Sequence, residues 1–375
     1  MKIAIIGSRG IPNRYGGFEK FTDDLSVALV NRGYQVYVSC EHPCSNNKME
    51  KYKGVNLFYF PIRPPKSNKL RILYEILYDI YSLFWASRRV DIIYMLSYTA
   101  SPFFFIPKIF GKKLFVNPDG LEWKRDKFNF FEKQLLFFNE KMMVVWTDKI
   151  IADSNEIKKY YDGKYNVSSE FIPYWVDEVA EVKWEHDKLP DLLKGKIEIN
   201  NYWLVVARLE PENNIHVIVE GYLESASKRP LIIVGNFQSK AYQERVRNII
   251  ESKAEDKQIY FTGAIYNQEI LNMLRQNCFA YIHGHSVGGT NPSLLEAMMM
   301  KNIIIAHDNE FNREVCGDCV DYFKDSMALK DKFNQVDKNY SGYLMLKENA
   351  YERVIKLYSW DYVVNKYEEL FSNEF

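Results

Sequence analysis

Two loops in this chain follow an apolar run, carry glycines and open onto a helical stretch, and these are the places best equipped for chemistry. The first is residues 7–19, GSRGIPNRYGGFE. Its paired Gly16 and Gly17 let backbone come close to a ligand, and amides at a helix start can meet an anion. The second is residues 283–300, HGHSVGGTNPSLLEAMMM. Here a loop carries Gly288, Gly289, Thr290 and Asn291, and Pro292 suits the first turn of a helix. Loop amides at that mouth suit a diphosphate. Glu296 falls one turn inside the helix, where a carboxylate suits the two hydroxyls of a ribose. His283 and His285 frame the loop. Two histidines at that spacing are not a complete metal set, so a place beside a sugar or phosphate is the better reading. The plainer alternative is a turn before a solvated helix, and the combination of features in one stretch weighs against it. Neither loop carries the G-x-G-x-x-G dinucleotide fingerprint, which argues against a nicotinamide cofactor.

Two further stretches add charge. Residues 204–214, LVVARLEPENN, place Arg208 just after an apolar run. A guanidinium fork there matches phosphate geometry, the alternative being a surface ion pair. Residues 116–127, VNPDGLEWKRDK, bring Asp119 and Glu122 close to Trp123 and two basic residues. Carboxylates there could hold hydroxyls or act as a base, the alternative being a solvated turn.

These stretches need elements that hold them at one edge. Strand and helix signals alternate throughout. Residues 3–6 read as a strand, 18–30 as a helix and 34–39 as the next strand, a βαβ unit with a parallel sheet. Residues 55–60, 91–95, 113–117 and 149–152 continue the plan. The alternation restarts at residue 202 with strands at 202–206, 230–234, 258–262, 279–283 and 302–306. Between them 214–226, 241–252, 268–276 and 292–300 read as helices. The expected fold class is therefore α/β, with two doubly wound domains. Residues 1–176 form the first and 177–357 the second, with a polar linker at 177–201. In open parallel sheets ligands bind beyond the carboxyl ends of the strands, where all four stretches fall.

Composition agrees. One core rarely grows past roughly 250–300 residues, so 375 residues point to two domains. With 47% hydrophobic and 26% charged residues and zero net charge, the chain is neither disordered nor a generally basic nucleic-acid binder. Cys316 and Cys319 form a C-x-x-C, but a zinc site needs four ligands and no second pair stands at a suitable spacing. Reduced thiols of a cytoplasmic protein are the expectation. No run approaches the roughly 20 apolar residues of a spanning helix, and the densest, 72–85, carries Glu75 and Asp79. Residues 66–89 and 128–146 mix aromatic, aliphatic and basic residues, as do segments that lie on an anionic membrane face; packing on the first sheet is the alternative.

Taken together the motifs resemble those of retaining glycosyltransferases of family 4, which have the GT-B architecture of two Rossmann-like domains facing across a cleft. Residues 291–298, NPSLLEAM, match the second half of that family's E-x7-E motif. The resemblance implies a ribose contact for Glu296, while the first glutamate position holds Gly288. Residues 204–214 resemble the family's GRL-x-P-E-K-N element, which implies that Arg208 neutralises the donor diphosphate. The lysine position holds Asn213, so Arg9, Arg14, Lys124 or Arg125 would share that charge. Asn117, Pro118 and Asp119 stand where many members have a histidine–aspartate element.

The full set, GSRGIP, NPDGLEWKR, EPENN and HGHSVGGTNPSLLEAM, is similar to a narrower branch, bacterial polysaccharide rhamnosyltransferases. That implies a dTDP-rhamnose donor, a saccharide or lipid-linked saccharide acceptor, retention at the anomeric carbon and no metal cofactor. It also implies that the last helix, about 358–375, crosses back to the first domain. The rival readings are a UDP- or GDP-sugar transferase, a nucleotide-sugar epimerase of the same fold, and a non-catalytic scaffold.

Overall fold

The apolar run at the N-terminus is a buried parallel strand, β1 (Lys2–Ile6), with Ile3, Ala4, Ile5 and Ile6 wholly shielded. In this computed structural model the described residues are 1–12, 17–43, 48–65, 67–118, 120–121, 123, 129–253, 256–287 and 290–373. The chain divides into unit 1, Met1–Tyr174 with Val363–Phe375, and unit 2, Trp175–Tyr362.

In unit 1, β1 is followed by α1 (Gly17–Asn31), β2 (Gln35–Cys40), β3 (Lys51–Tyr52), β4 (Val55–Tyr59), α2 (Asn68–Ser87) and β5 (Ile92–Leu96). Then come α3 (Phe105–Ile109), β6 (Lys113–Asn117), α4 (Phe130–Trp146), β7 (Lys149–Ala152), α5 (Asn155–Tyr165) and β8 (Glu170–Phe171). The sheet order is β3-β4-β2-β1-β5-β6-β7-β8, parallel except for the β3–β4 pair. Chain progress reverses direction between β1 and β5, the kind of switch point where a crevice opens. Gly7 leaves β1 there with φ +93°, and a Cβ on it would stand 2.4 Å from the Leu96 carbonyl oxygen. Only glycine fits this approach.

Helix α1 buries Phe21, Leu25, Ala28 and Leu29, the face its helical spacing predicts. Each such large side chain is worth about 1.5–3 kcal/mol on full burial. Helix α4 opens on a capping box in which Asn129 and Glu132 satisfy each other's backbone amides.

Helices α2 and α4 pack one face inward through Tyr74, Tyr78, Leu83 and Met143. Their other faces are apolar and exposed. On α2 these are Leu70, Leu73, Leu77 and Phe84; on α4 they are Phe131 (82% exposed), Leu135, Phe138 and Val145. Both sets keep helical spacing, so each is a stripe rather than scattered residues. Ring contacts Phe84–Phe110 (5.9 Å) and Phe105–Trp146 (6.1 Å) join α2, α3 and α4 into one surface. Among the described residues no helix is long and apolar enough to cross a membrane.

Unit 2 runs β9 (Trp203–Val206), α6 (Ile215–Glu224), β10 (Leu231–Val234), α7 (Lys240–Lys253), β11 (Ile259–Gly263), α8 (Gln268–Gln276) and β12 (Ala280–His283). It continues with α9 (Pro292–Met299), β13 (Ile304–His307), α10 (Glu310–Cys316), β14 (Asp321–Phe323), α11 (Ser326–Lys338) and α12 (Leu344–Tyr358). The strand order β11-β10-β9-β12-β13-β14 is wholly parallel and reverses between β9 and β12. The two parallel sheets agree with the α/β doubly wound expectation.

Residues 177–201, which read as a linker from composition, pack against unit 2. Leu189, Leu193 and Ile197 are buried in the cluster that holds Tyr202 and Leu204. Apolar residues four apart in an otherwise polar run are the local sign of it. The last helix, α13 (Trp360–Asn373), has its residues from Val363 onward in unit 1. There the Tyr367 hydroxyl lies 3.0 Å from that of Tyr94, and Phe371 stacks on Phe115.

Candidate active site

The switch point of unit 2 lies between the ends of β9 and β12, and two loops meet there. The loop after β9 carries Arg208 and Asn213; the loop after β12 carries Gly284, His285 and Ser286. Ser286 donates its backbone N–H (2.9 Å) and its hydroxyl (2.8 Å) to the Glu212 carbonyl. Asn214 donates its side-chain amide to the Gly284 carbonyl at 2.9 Å. Asn213 donates to the Arg208 carbonyl at 2.8 Å, and its Oδ1 stands 2.9 Å from His285 Nδ1. A Cβ on Gly284 would fall 2.2 Å from the Asn213 carbonyl oxygen, so the loops can close this tightly only over glycine. From the far side, Asn309 and Asn312 both donate to the His285 carbonyl.

The second loop ends at a built helix start. Asn291 caps α9, accepting from the Ser293 N–H at 3.0 Å, with Pro292 in the first turn. Thr290 is buried beside it. Glu296, one turn in, pairs with Arg275 of α8, whose Nη2 stands 2.6 Å from its carboxylate. Arg275 is only 2% exposed and Glu296 24%. Nη2 also reaches Ser293 Oγ at 3.2 Å, and that hydroxyl lies 2.7 Å from the Tyr281 hydroxyl. Arg275 Nε and Nη1 are buried with no hydrogen-bond partner among the described residues.

His283 ends β12 fully enclosed, its Nε2 without a partner among the described residues. Burial pushes its pKa well below the ordinary histidine value, with His285 and His307 adding repulsion, so its ring is neutral near pH 7. Arg208 is different: its side chain is 65% exposed and meets Glu210 only at 3.8 Å. It is a cation presented to solvent at the carboxyl edge. On the other side of β9 a cavity of about 790 Å3 opens among Leu209, Gly235, Phe237 and Phe261.

Arg208, His283, His285, Thr290, Asn291 and Glu296 therefore gather around one switch point. Gly17 opens α1 in unit 1. Gly16, Asp119, Glu122, Gly288 and Gly289 lie outside the described residues, as do Arg14, Lys124 and Arg125. Beside Asp119 and Glu122 in the chain, Trp123 donates its indole N–H to the buried Glu140 at 2.9 Å. Glu140 also accepts from Tyr160, Lys164 and Tyr165.

Two participants are not among the sequence candidates. Arg275 continues the apolar stripe Leu271, Leu274, Cys278, and a charge on such a face signals a buried pair. Asn213 stands out in the sequence only as the occupant of a lysine position, whereas in the fold it ties both loops together.

Known proteins resemble this chain in sequence pattern and in fold. Residues 194–353 match the family model described as "Glycosyl transferases group 1", and residues 1–177 match one described as "Domain of unknown function (DUF1972)". Over 99% of this chain and 98% of the relative, the sequence is 23% identical to an uncharacterized glycosyltransferase of Methanocaldococcus jannaschii. Among solved structures, sucrose-phosphate synthase of Thermosynechococcus elongatus superposes with TM-score 0.80 at 14% identity, covering 99% of this chain and 98% of that one. Anabaena HepE, solved in complex with UDP, gives 0.76 at 15% identity with full coverage of both chains. Residues 194–353 thus match a glycosyltransferase group 1 model, and the chain shares the fold of these solved structures.

Proposed function

We propose that this protein transfers a sugar from a nucleotide diphosphate donor bound at the unit 2 switch point. The observation that carries the reading is the loop pair at the ends of β9 and β12, with Glu296 held by the buried Arg275. In this reading Glu296 accepts from the ribose hydroxyls. Arg208 and the amides around residues 288–291 stabilise charge on the departing diphosphate, a role that asks for no metal cofactor. His283 and His285 stand by the donor. Gly16 and Gly17 share in stabilising charge on the departing diphosphate, while Asp119 and Glu122 serve the acceptor side in unit 1 as candidate base or hydroxyl ligands.

The donor we assign is dTDP-rhamnose, on the motif resemblance. HepE was solved with UDP, which makes a uridine donor the alternative to test first. The acceptor we assign is a saccharide or lipid-linked saccharide of bacterial surface polysaccharide synthesis, with retention. The apolar stripes of α2 and α4 favour a place on the cytoplasmic face of the inner membrane, since such a surface suits the interfacial layer.

The test is a thermal-shift panel of dTDP-rhamnose, UDP-glucose and GDP-mannose. A ligand at about a hundred times its Kd stabilises by about 2.7 kcal/mol. A shift confined to dTDP-rhamnose supports the assigned donor. A shift with UDP-glucose keeps the transferase and discards rhamnose. Silence with every nucleotide removes the donor site, and a product of inverted anomeric configuration by NMR removes retention.

A further inference from the structure

Helix α10 ends at Cys316, and the turn that follows brings Cys319 back beside it. Gly317 makes that turn with φ +57°, and the Cys319 N–H donates to the Cys316 carbonyl at 3.2 Å. A four-residue turn closed in this way holds its end Cα atoms within about 7 Å. A disulfide spans Cα atoms about 4.4–6.8 Å apart, so the two cysteines stand within bridging reach. Both are free thiols. A zinc ion would need more ligands, and among the described residues no group of three or more His, Cys, Asp or Glu side chains is placed to hold a metal.

The two sulfurs differ in access. Cys316 is wholly buried, whereas Cys319 is half-buried at the edge of the same apolar cluster. Arg353 of α12 holds its guanidinium against the turn, donating to the Val315 carbonyl at 2.7 Å and to the Glu314 carbonyl at 2.8 Å. Burial pushes both thiols above the ordinary cysteine value, and the Arg353 charge opposes the rise at each; Asp318 and Glu352 add to it at Cys319. The raised values make thiol exchange slow near neutral pH and leave its direction unchanged. Partial access and an adjacent cation single out Cys319 as the sulfur that reacts first.

The buried partner ties this turn to α9. Cys316 Sγ lies 3.7 Å from Met298 Sδ, and Met298 is wholly buried. Met298 belongs to the same short helix as Glu296. A bridge to Cys319 must draw the Cys316 sulfur out of that contact. Interiors are close-packed, so a sulfur that moves leaves a gap beside α9.

We infer that Cys316 and Cys319 form a reversible disulfide by exchange with a small-molecule disulfide such as glutathione disulfide, and that bridging loosens α9. The Cys319 thiolate attacks one sulfur of the oxidant, whose S–S bond breaks, and one glutathione leaves. The Cys316 thiolate then attacks Cys319 Sγ, forms the internal S–S bond and releases the second glutathione. Two cysteines are oxidised, one glutathione disulfide is reduced, and the two thiol protons end on the two glutathiones. The switch itself goes beyond the transferase reading. Only its consequence for nucleotide binding, through Glu296 on α9, rests on that reading.

The test treats the full chain with glutathione disulfide at about pH 8, where more thiolate is present, and then with an alkylating agent. Tryptic peptide 314–324 holds Cys316 and Cys319 and no other cysteine. That peptide is expected to escape alkylation and to lose the mass of two hydrogens, and dithiothreitol restores both. Amide hydrogen exchange across residues 292–299 quickens about threefold or more in the bridged form. UDP or dTDP, whichever binds the reduced chain, loses about threefold or more in affinity by calorimetry. Cys319→Ser shows none of these responses. Should that variant fail to fold, the parent before and after dithiothreitol supplies the same comparison. Full alkylation of both cysteines after the oxidant, or a glutathione adduct on Cys319 that does not close, would overturn the inference. So would a closed bridge with unchanged exchange in α9. Equal nucleotide affinity in the two states would overturn the link to the donor site. A reduced chain that binds neither nucleotide sinks the donor reading alone, since the mass and exchange readouts need no nucleotide.

Discussion

Arg275 Nη2 lies 2.6 Å from the Glu296 carboxylate, and the arginine is the more deeply buried of the two. The pair joins α8 to α9 and fixes a carboxylate at the switch point of unit 2. Removing one partner of a buried pair is far costlier than removing both, because the survivor keeps its charge without compensation. Glu296→Ala is therefore expected to destabilise unit 2 by about 3 kcal/mol, the lower end for a pair whose glutamate is partly exposed. The double change Arg275→Met, Glu296→Leu recovers most of that stability without recovering nucleotide binding. Urea unfolding beside nucleotide titration checks both; a double variant that still binds nucleotide would remove Glu296 from the donor site.

Gly284 offers a test of the loop pair. A methyl group there meets the Asn213 carbonyl at 2.2 Å, so Gly284→Ala must part the loops. Overpacking of this kind costs about 1–3 kcal/mol. Nucleotide affinity is expected to fall about tenfold or more, since the bonds from Ser286 to Glu212 and from Asn214 to Gly284 cannot all survive. Unchanged affinity by calorimetry would show that loop closure is irrelevant to binding.

Asp79 sets a pH dependence of opposite sign to a salt-bridged aspartate. Its folded pKa is raised, chiefly by burial, so between the unfolded value near 4 and the folded value the native state holds the extra proton. Stability from this group is full below about pH 4 and declines as pH rises. Asp79→Asn should thus be more stable than the parent at pH 7, with the gain vanishing toward pH 4. Melting temperatures across that range decide it; a variant less stable at pH 7 would mean that Asp79 is ionised and compensated in the native state.

The exposed stripes of α2 and α4 yield a prediction without a stability cost. Phe131 and Leu135 are exposed, so changing both to glutamate should move stability by no more than about 0.5 kcal/mol each. The same change should abolish sedimentation with anionic vesicles, since it places two negative charges on the apolar face. Equal sedimentation of parent and variant would remove the membrane from the picture.

Much of this protein is readable along the chain. The alternation of buried strands with helices such as α1, whose Phe21, Leu25 and Leu29 recur on one face, is a local property of spacing. Turn chemistry is local too: Asn291 and Pro292, adjacent in the chain, are enough to mark the start of α9. Because loops at strand ends share one edge of a parallel sheet, the nearness of Arg208 to the His283–His285 loop follows from the strand order alone.

Other features belong to the folded chain only. Along the sequence, Glu75 and Asp79 in an apolar run argue simply against a membrane span, yet α2 turns Asp79 into a cavity that strands β1, β2 and β5 complete. Residues 177–201 have the composition of a linker, and it is the unit 2 core that draws Leu189, Leu193 and Ile197 inward. The partner of Glu296 is set by how α8 and α9 pack beside β12, a relation between distant segments that no local spacing encodes. Periodicity and turn residues act within a few positions of the chain. Which buried charge meets which, and which stays unpartnered to face a ligand, depends on burial created by the whole fold.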